Sequence, residues 1–153
     1  MDMVDHVSLR YENNDRFHDD LLLRVGERMW RCDTYYLLLD RAMLPDREDD
    51  AKVRAVLARL LEQWRAAVAA LDDGGGCFLP YDFSDEYTGW LRCEAAAGEM
   101  LTLQRGWSRV AGYAIMPSNV DEAMIRELPD FQPDGDAVAV TRELFLRGIG
   151  ERA

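Results

Sequence analysis

The stretch 46–71 constrains the fold of this chain more than any other. Val53, Val56, Leu57, Leu60, Leu61, Trp64, Val68 and Leu71 recur at alternating three- and four-residue spacing, which gathers them into one stripe of an α-helix. Lys52, Arg54, Arg59, Glu62 and Arg65 fall on the opposite side. Asp46, Glu48, Asp49 and Asp50 crowd the beginning, where carboxylates meet unpaired amides and the positive end of the helix dipole. Gly74, Gly75 and Gly76 stop the helix, because glycine accepts the left-handed backbone of a helix end. The pattern predicts one long amphipathic helix over about residues 47–72. Each of its apolar side chains is worth roughly 1.5–3 kcal/mol when fully buried, so the stripe must lie against other elements.

Strand signals surround that helix. Residues 4–11 alternate, with Val7, Leu9 and Tyr11 on one face and Ser8 and Arg10 on the other. Residues 17–31 read either way. Phe17, Leu21, Val25 and Met29 keep helical spacing, yet 21–25 followed by Gly26 suits a strand and turn, the reading favoured here. Asp33 stands where it caps a helix over 34–43, ended by Pro45. Beyond the glycines, aromatics, prolines and glycines appear at the spacing of short strands and turns. Strands are expected over 87–94, 99–104 and 110–116, joined as an antiparallel meander with Gly106, Trp107, Ser108 and Arg109 connecting the last two. Ser118 followed by Asp121 resembles a capping box for a short helix bearing Val120, Met124 and Leu128. A loop over 130–136, a strand over 137–141 and a helix over 142–148 with Phe145 inward complete the chain. The expected class is α+β: an antiparallel sheet of about four to six strands packed against the long helix, with two or three shorter helices. No repeat, linker or composition shift divides it, so residues 1–153 are expected to form a single domain.

The charge narrows the partners. A formal charge of -11 and a pI near 4.6 argue against direct nucleic-acid binding, which relies on clustered Lys and Arg. The same charge suits a basic protein partner drawn in by the field, and it equally suits simple solubility. No stretch has the length of a membrane span, and no basic segment leads into an apolar one as in a secretory signal. Cys32, Cys77 and Cys93 are an odd set without a close pair, which fits reduced thiols better than a disulfide framework. A cytoplasmic location follows as the expectation. Lys52 is the single lysine beside seventeen arginines, a composition that hints at a GC-rich bacterial genome.

Tested for chemistry, the motifs fall short. His6 and His18 share no short spacing with cysteines, and neither they nor the His18-Asp19-Asp20 run supplies the ligand set of a metal site. Aligned to a calcium loop, 130–136 puts Thr141 where a bidentate glutamate belongs. There is no nucleophile elbow, and the glycine run lacks the Lys-Ser/Thr of a phosphate loop. No metal, cofactor or catalytic residue is assigned. What stands out is Asp82, Asp85 and Glu86 interleaved with Tyr81, Phe83, Tyr87 and Trp90. Aromatics supply anchor area and the acids suit an Arg- or Lys-rich partner. Alternatively, the aromatics are strand residues with acids on their solvent side. Trp107, at the tip of its connection, joins the candidate partner-binding set of Tyr81, Asp82, Asp85, Glu86, Tyr87, Trp90 and Trp107. Trp30 and Trp64 are assigned to the core.

In size and charge the chain resembles the small acidic immunity proteins that bacteria pair with secreted toxins, and also the acidic chaperones of secreted effectors. Those resemblances carry no motif and no site residue. They imply a non-enzymatic protein that masks a basic toxin or effector. A small enzyme with a site assembled from scattered acids and arginines, with His18 or Cys32, is the alternative, and an acidic secretion chaperone, expected to be dimeric, is another. Oligomeric state is left open by the sequence.

Overall fold

The structure is a computed structural model and describes residues 1–13 and 20–150. Its elements in chain order are strands β1 (Asp2–Met3), β2 (Val7–Tyr11), β3 (Leu21–Val25) and β4 (Arg28–Cys32), then helices α1 (Tyr35–Leu38) and α2 (Asp50–Ala69). Strands β5 (Gly76–Phe83), β6 (Thr88–Ala96) and β7 (Met100–Ser108) follow, and then helix α3 (Glu122–Arg126), strands β8 (Gln132–Pro133) and β9 (Val138–Thr141), and helix α4 (Arg142–Gly150). The class is α+β, with the long helix as expected. Among the described residues one sheet runs β1-β9-β7-β6-β5 with β8 beside β7, and a second runs β2-β3-β4. All pairings are antiparallel except β1 with β9.

Helix α2 follows its stripe. Val53, Val56, Leu57, Leu60, Leu61, Trp64 and Val68 are buried, and Leu71, just past the helix end, is half-buried. Asp49 sits at the N-cap, its carboxylate accepting the Lys52 amide at 3.1 Å, so Asp46 and Glu48 precede the helix rather than form its first turn. Lys52 corrects the expected polar face: it is only 1% exposed, and its ammonium donates to the Met43 carbonyl at 2.6 Å. The chain before the helix folds back over that position, and a long aliphatic stem can follow it into the interior.

The helix stripe is closed by α4. The Phe145 ring stacks on Trp64 with centroids 6.4 Å apart. Gly148 presses onto β2 so closely that a Cβ there would lie 2.0 Å from the Val7 carbonyl oxygen. Trp64 also reaches the large sheet, where its indole N–H donates to the Pro80 carbonyl at 3.1 Å. Pro80 is tolerated because β5 is the outermost strand of that sheet and its missing N–H leaves no gap in the ladder.

Several expectations need correction. The third strand of the meander is β5, not 110–116, which runs irregularly around a 3₁₀ turn at Gly112–Ala114. Gly112 donates to the Ser84 carbonyl at 2.6 Å, and a side chain there would collide with the Ser84 backbone, so this segment braces a turn instead of extending the sheet. Gly106, Trp107 and Ser108 belong to β7 itself, since Gly106 leaves room for Phe131 to pack over the strand. The helix over 34–43 stops at Leu38; Thr34 takes the N-cap position without a side-chain bond, and it is the Asp33 carboxylate that accepts the Tyr35 amide at 2.6 Å. Beyond it, the buried Asp40 carboxylate takes the Ala42 amide, the Ser118 amide and the Ser118 hydroxyl, which pins the chain outside helical geometry. Ser118 is thereby engaged, and Asp121 caps α3 by accepting the Ala123 amide at 2.9 Å. Residues 21–25 are a strand, and β4 follows through a turn at Gly26, whose φ of 62° suits glycine. Trp30 is half-buried rather than core, held between the Arg28 and Arg105 guanidinium groups at 5.1 and 4.0 Å. Phe17, His18 and Asp19 lie outside the described residues.

Candidate partner-binding site

The acidic aromatic segment occupies the end of β5, the turn 84–87 and the start of β6. The turn closes through the Ser84 amide on the Tyr87 carbonyl at 3.0 Å, and Thr88 ties it to the Val110 carbonyl at 2.5 Å. A ladder irregularity between Pro80 and Asp82 shifts the alternation of β5.

Strand geometry splits the candidate residues. Trp90 is fully buried, its indole N–H donating to the Ser108 hydroxyl at 2.9 Å. Tyr81 is 3% exposed and accepts Arg105 Nε at 3.1 Å through its phenol oxygen. Both are core residues, so neither ring fills a partner's pocket as the sequence reading had it. Phe83 is buried too. Asp85 and Glu86 project from the turn, Asp82 is half-buried, and Tyr87 and Trp107 are about 40% and 38% exposed.

Those residues line two open clefts that share Asp82 and Tyr87 as a common wall. One, of about 470 Å³, holds Trp107, Glu86 and Asp134, with Arg105, Tyr81 and the glycines Gly89 and Gly106 also lining it. A side chain at Gly89 would meet Asp82 at 2.8 Å, so this cleft requires glycine on β6. The other, of about 610 Å³, opens between the turn and the β4–α1 junction. Arg31, Cys32, Asp33, Tyr35 and Tyr36 supply its second wall, facing Ser84 and Asp85. The sequence reading missed this wall. Tyr35 and Tyr36 fall in the helix expected over 34–43, and helical spacing alone does not show what the start of a helix will face.

Carboxylates control the phenols here. The Tyr36 hydroxyl donates to Asp85, and that bond, with lesser help from desolvation, pushes its pKa up to about 12. The negative charge of Asp82 raises the Tyr87 phenol, whose hydroxyl lies within 3.5 Å of it. Burial raises Tyr81 to about 12 although Arg105 pulls the other way. Each phenol thus stays a neutral donor at ordinary pH. Elsewhere, Cys77 and Cys93 face each other across β5 and β6; their mutual hydrogen bond and burial push the Cys93 thiol up, the condition of an inert thiol. His6 pairs with the Ser8 hydroxyl at 3.1 Å on β2. Among the described residues, no group of three His, Cys, Asp or Glu side chains is arranged to hold a metal, and no helix is long and apolar enough to cross a membrane.

The fold and the site together define an α+β protein with an acidic, tyrosine-rich double cleft at one end of its larger sheet. Compared with known proteins, the chain matches no protein family, no curated protein and no solved structure.

Proposed function

We propose that this chain is a non-enzymatic binding protein that masks a basic protein partner, as bacterial immunity proteins and effector chaperones do. The observation that carries this reading is the composition of the two clefts. Asp33, Asp82, Asp85, Glu86 and Asp134 line them together with Tyr35, Tyr36, Tyr87 and Trp107, against two arginines. One of those arginines, Arg105, is already engaged by Tyr81 and Trp30. Rigid aromatic rings give anchor area at low entropic cost. The surrounding carboxylates oppose a cationic surface, and the overall charge of -11 steers it inward. The three cysteines, none of them in a disulfide, suit a reducing cytoplasm as the place of action.

The test is capture from a lysate of the native host on the immobilised protein, at low and moderate salt, beside an Asp85→Lys/Glu86→Lys variant. A basic protein held by the wild type, released as salt rises, and lost by a variant of unchanged thermal midpoint is the expected result. Retention of nothing at either salt, or equal retention by the variant, would overturn the reading.

A further inference from the structure

An internal interaction elsewhere in the molecule bears on the larger cleft. At the end of β2, the Tyr11 hydroxyl donates to the Asp50 carboxylate. Arg54, one turn along α2, lays its guanidinium 5.0 Å from the centroid of the same ring. The carboxylate fixes the phenol and adds negative charge, while the ring face attracts the cation. Tyrosine, aspartate and arginine thus form one unit.

Tyr36 and Asp85 repeat the first two members of that unit on the walls of the 610 Å³ cleft. Tyr35 meets Tyr36 edge-on at 5.2 Å and 72°, which holds the ring's orientation. Among the described residues, no guanidinium lies over the Tyr36 ring and no cation is ion-paired with Asp85. Arg31 lines the same cleft but makes neither contact, and Asp33, Asp82 and Asp85 outnumber it there. Among the described residues, the place of the third member is left open at Tyr36 and Asp85.

Building on the masking role argued above, we propose that this cleft is a receptor for an arginine side chain of the partner. The guanidinium lies on the Tyr36 ring, as that of Arg54 lies over Tyr11, and from there it bonds Asp85 as well. Arginine is favoured over lysine because its planar group stacks on a ring and presents two parallel N–H donors to a carboxylate at once. An ammonium is a compact, strongly hydrated point charge that does neither as well.

Calorimetric titration of the full chain with hexa-arginine and hexa-lysine peptides at low salt tests this. The arginine peptide is expected to bind about tenfold tighter. Tyr36→Leu and Asp85→Asn are each expected to weaken it about five- to tenfold and bring the two peptides close together. Tyr36→Phe, which keeps the ring, retains most of the preference, and Asp134→Asn in the other cleft leaves it intact. Thermal midpoints of all variants confirm that they are folded. Equal binding of both peptides by the wild type, or a preference that survives Tyr36→Leu and Asp85→Asn, overturns the arginine receptor and leaves the basic partner standing. Failure of both peptides to bind overturns the receptor as well, and the masking reading then stands or falls on the lysate capture alone.

Discussion

The two ends of the β5–β6–β7 meander are both turns that carry acids, yet the chain treats them differently. At the β6–β7 end, Gly98 and Glu99 take φ values of 77° and 60°, and Arg142 locks them down. Its amide donates to the Glu99 carbonyl at 2.8 Å and its Nε sits 3.2 Å from the Glu99 carboxylate. The same guanidinium donates to the carbonyls of Val68 and Leu71 at 2.9 Å each at the end of α2, where Val68 also accepts the Leu71 amide at 3.2 Å. At the β5–β6 end, Asp85 and Glu86 project from the turn, and among the described residues neither is ion-paired. One end is closed by the chain's own arginine. At the other, the Tyr36 hydroxyl ties to Asp85, and no arginine of the described residues closes the turn.

The largest test of this contrast is Arg142→Ala. It removes a side chain only 12% exposed, takes a charged donor from the Val68 and Leu71 carbonyls, of which Val68 keeps the Leu71 amide, and releases Glu99 from its strained turn. A loss of about 3 kcal/mol is expected, since charge-assisted bonds and orphaned acceptors each contribute on that scale. Urea unfolding measures it. A loss below about 1 kcal/mol would mean that the closed end is held by packing alone.

A test of intermediate size separates the floor of the open end from its rim. The Tyr81 phenol titrates near 12 in the folded protein because it is buried, against about 10 when exposed in the unfolded chain. The unfolded chain therefore releases this proton first. The stabilisation is fully present below pH 10 and disappears as the pH rises from about 10 to 12, amounting to at most about 2–3 kcal/mol. Tyr81→Phe should make the alkaline decline shallower, as read from urea midpoints at pH 8, 10 and 11, with Tyr11 and Tyr36, both also raised to about 12, keeping their share of it, while Tyr87→Phe at the rim should change it less. Equal slopes for wild type and Tyr81→Phe would show that the ring is not buried as described.

The contrast also marks what the residues made legible. Helix α2 and its stripe, the β6 and β7 alternation and the inward Phe145 were readable, because periodic burial writes itself into sequence over many positions. Lys52 was misplaced, because a single buried ammonium depends on where a distant loop runs. Trp90 and Tyr81 were offered to a partner when the fold buries them, and strand parity near an irregularity such as the one at Pro80 is not visible without the pairing strand. The second wall of the larger cleft was missed for a related reason. Tyr36 and Asp85 are 49 residues apart, and no local spacing announces that a helix start will face a hairpin turn.

The smallest expected effect is the one that decides the contrast. Asp85→Asn with Glu86→Gln removes two charges that make no ion pair among the described residues and leaves an amide oxygen to accept the Tyr36 hydroxyl, so stability should change by no more than about 1 kcal/mol. Any change is expected to be favourable in sign, because the chain carries a net charge of -11 and loses self-repulsion. Association with a basic partner should nonetheless slow, and the salt dependence of its rate should flatten, because long-range attraction acts on encounter more than on the docked contact. Stopped-flow association at two ionic strengths reads this directly. A clear stability loss with an unchanged association rate would place Asp85 and Glu86 with Glu99, as acids that hold the turn.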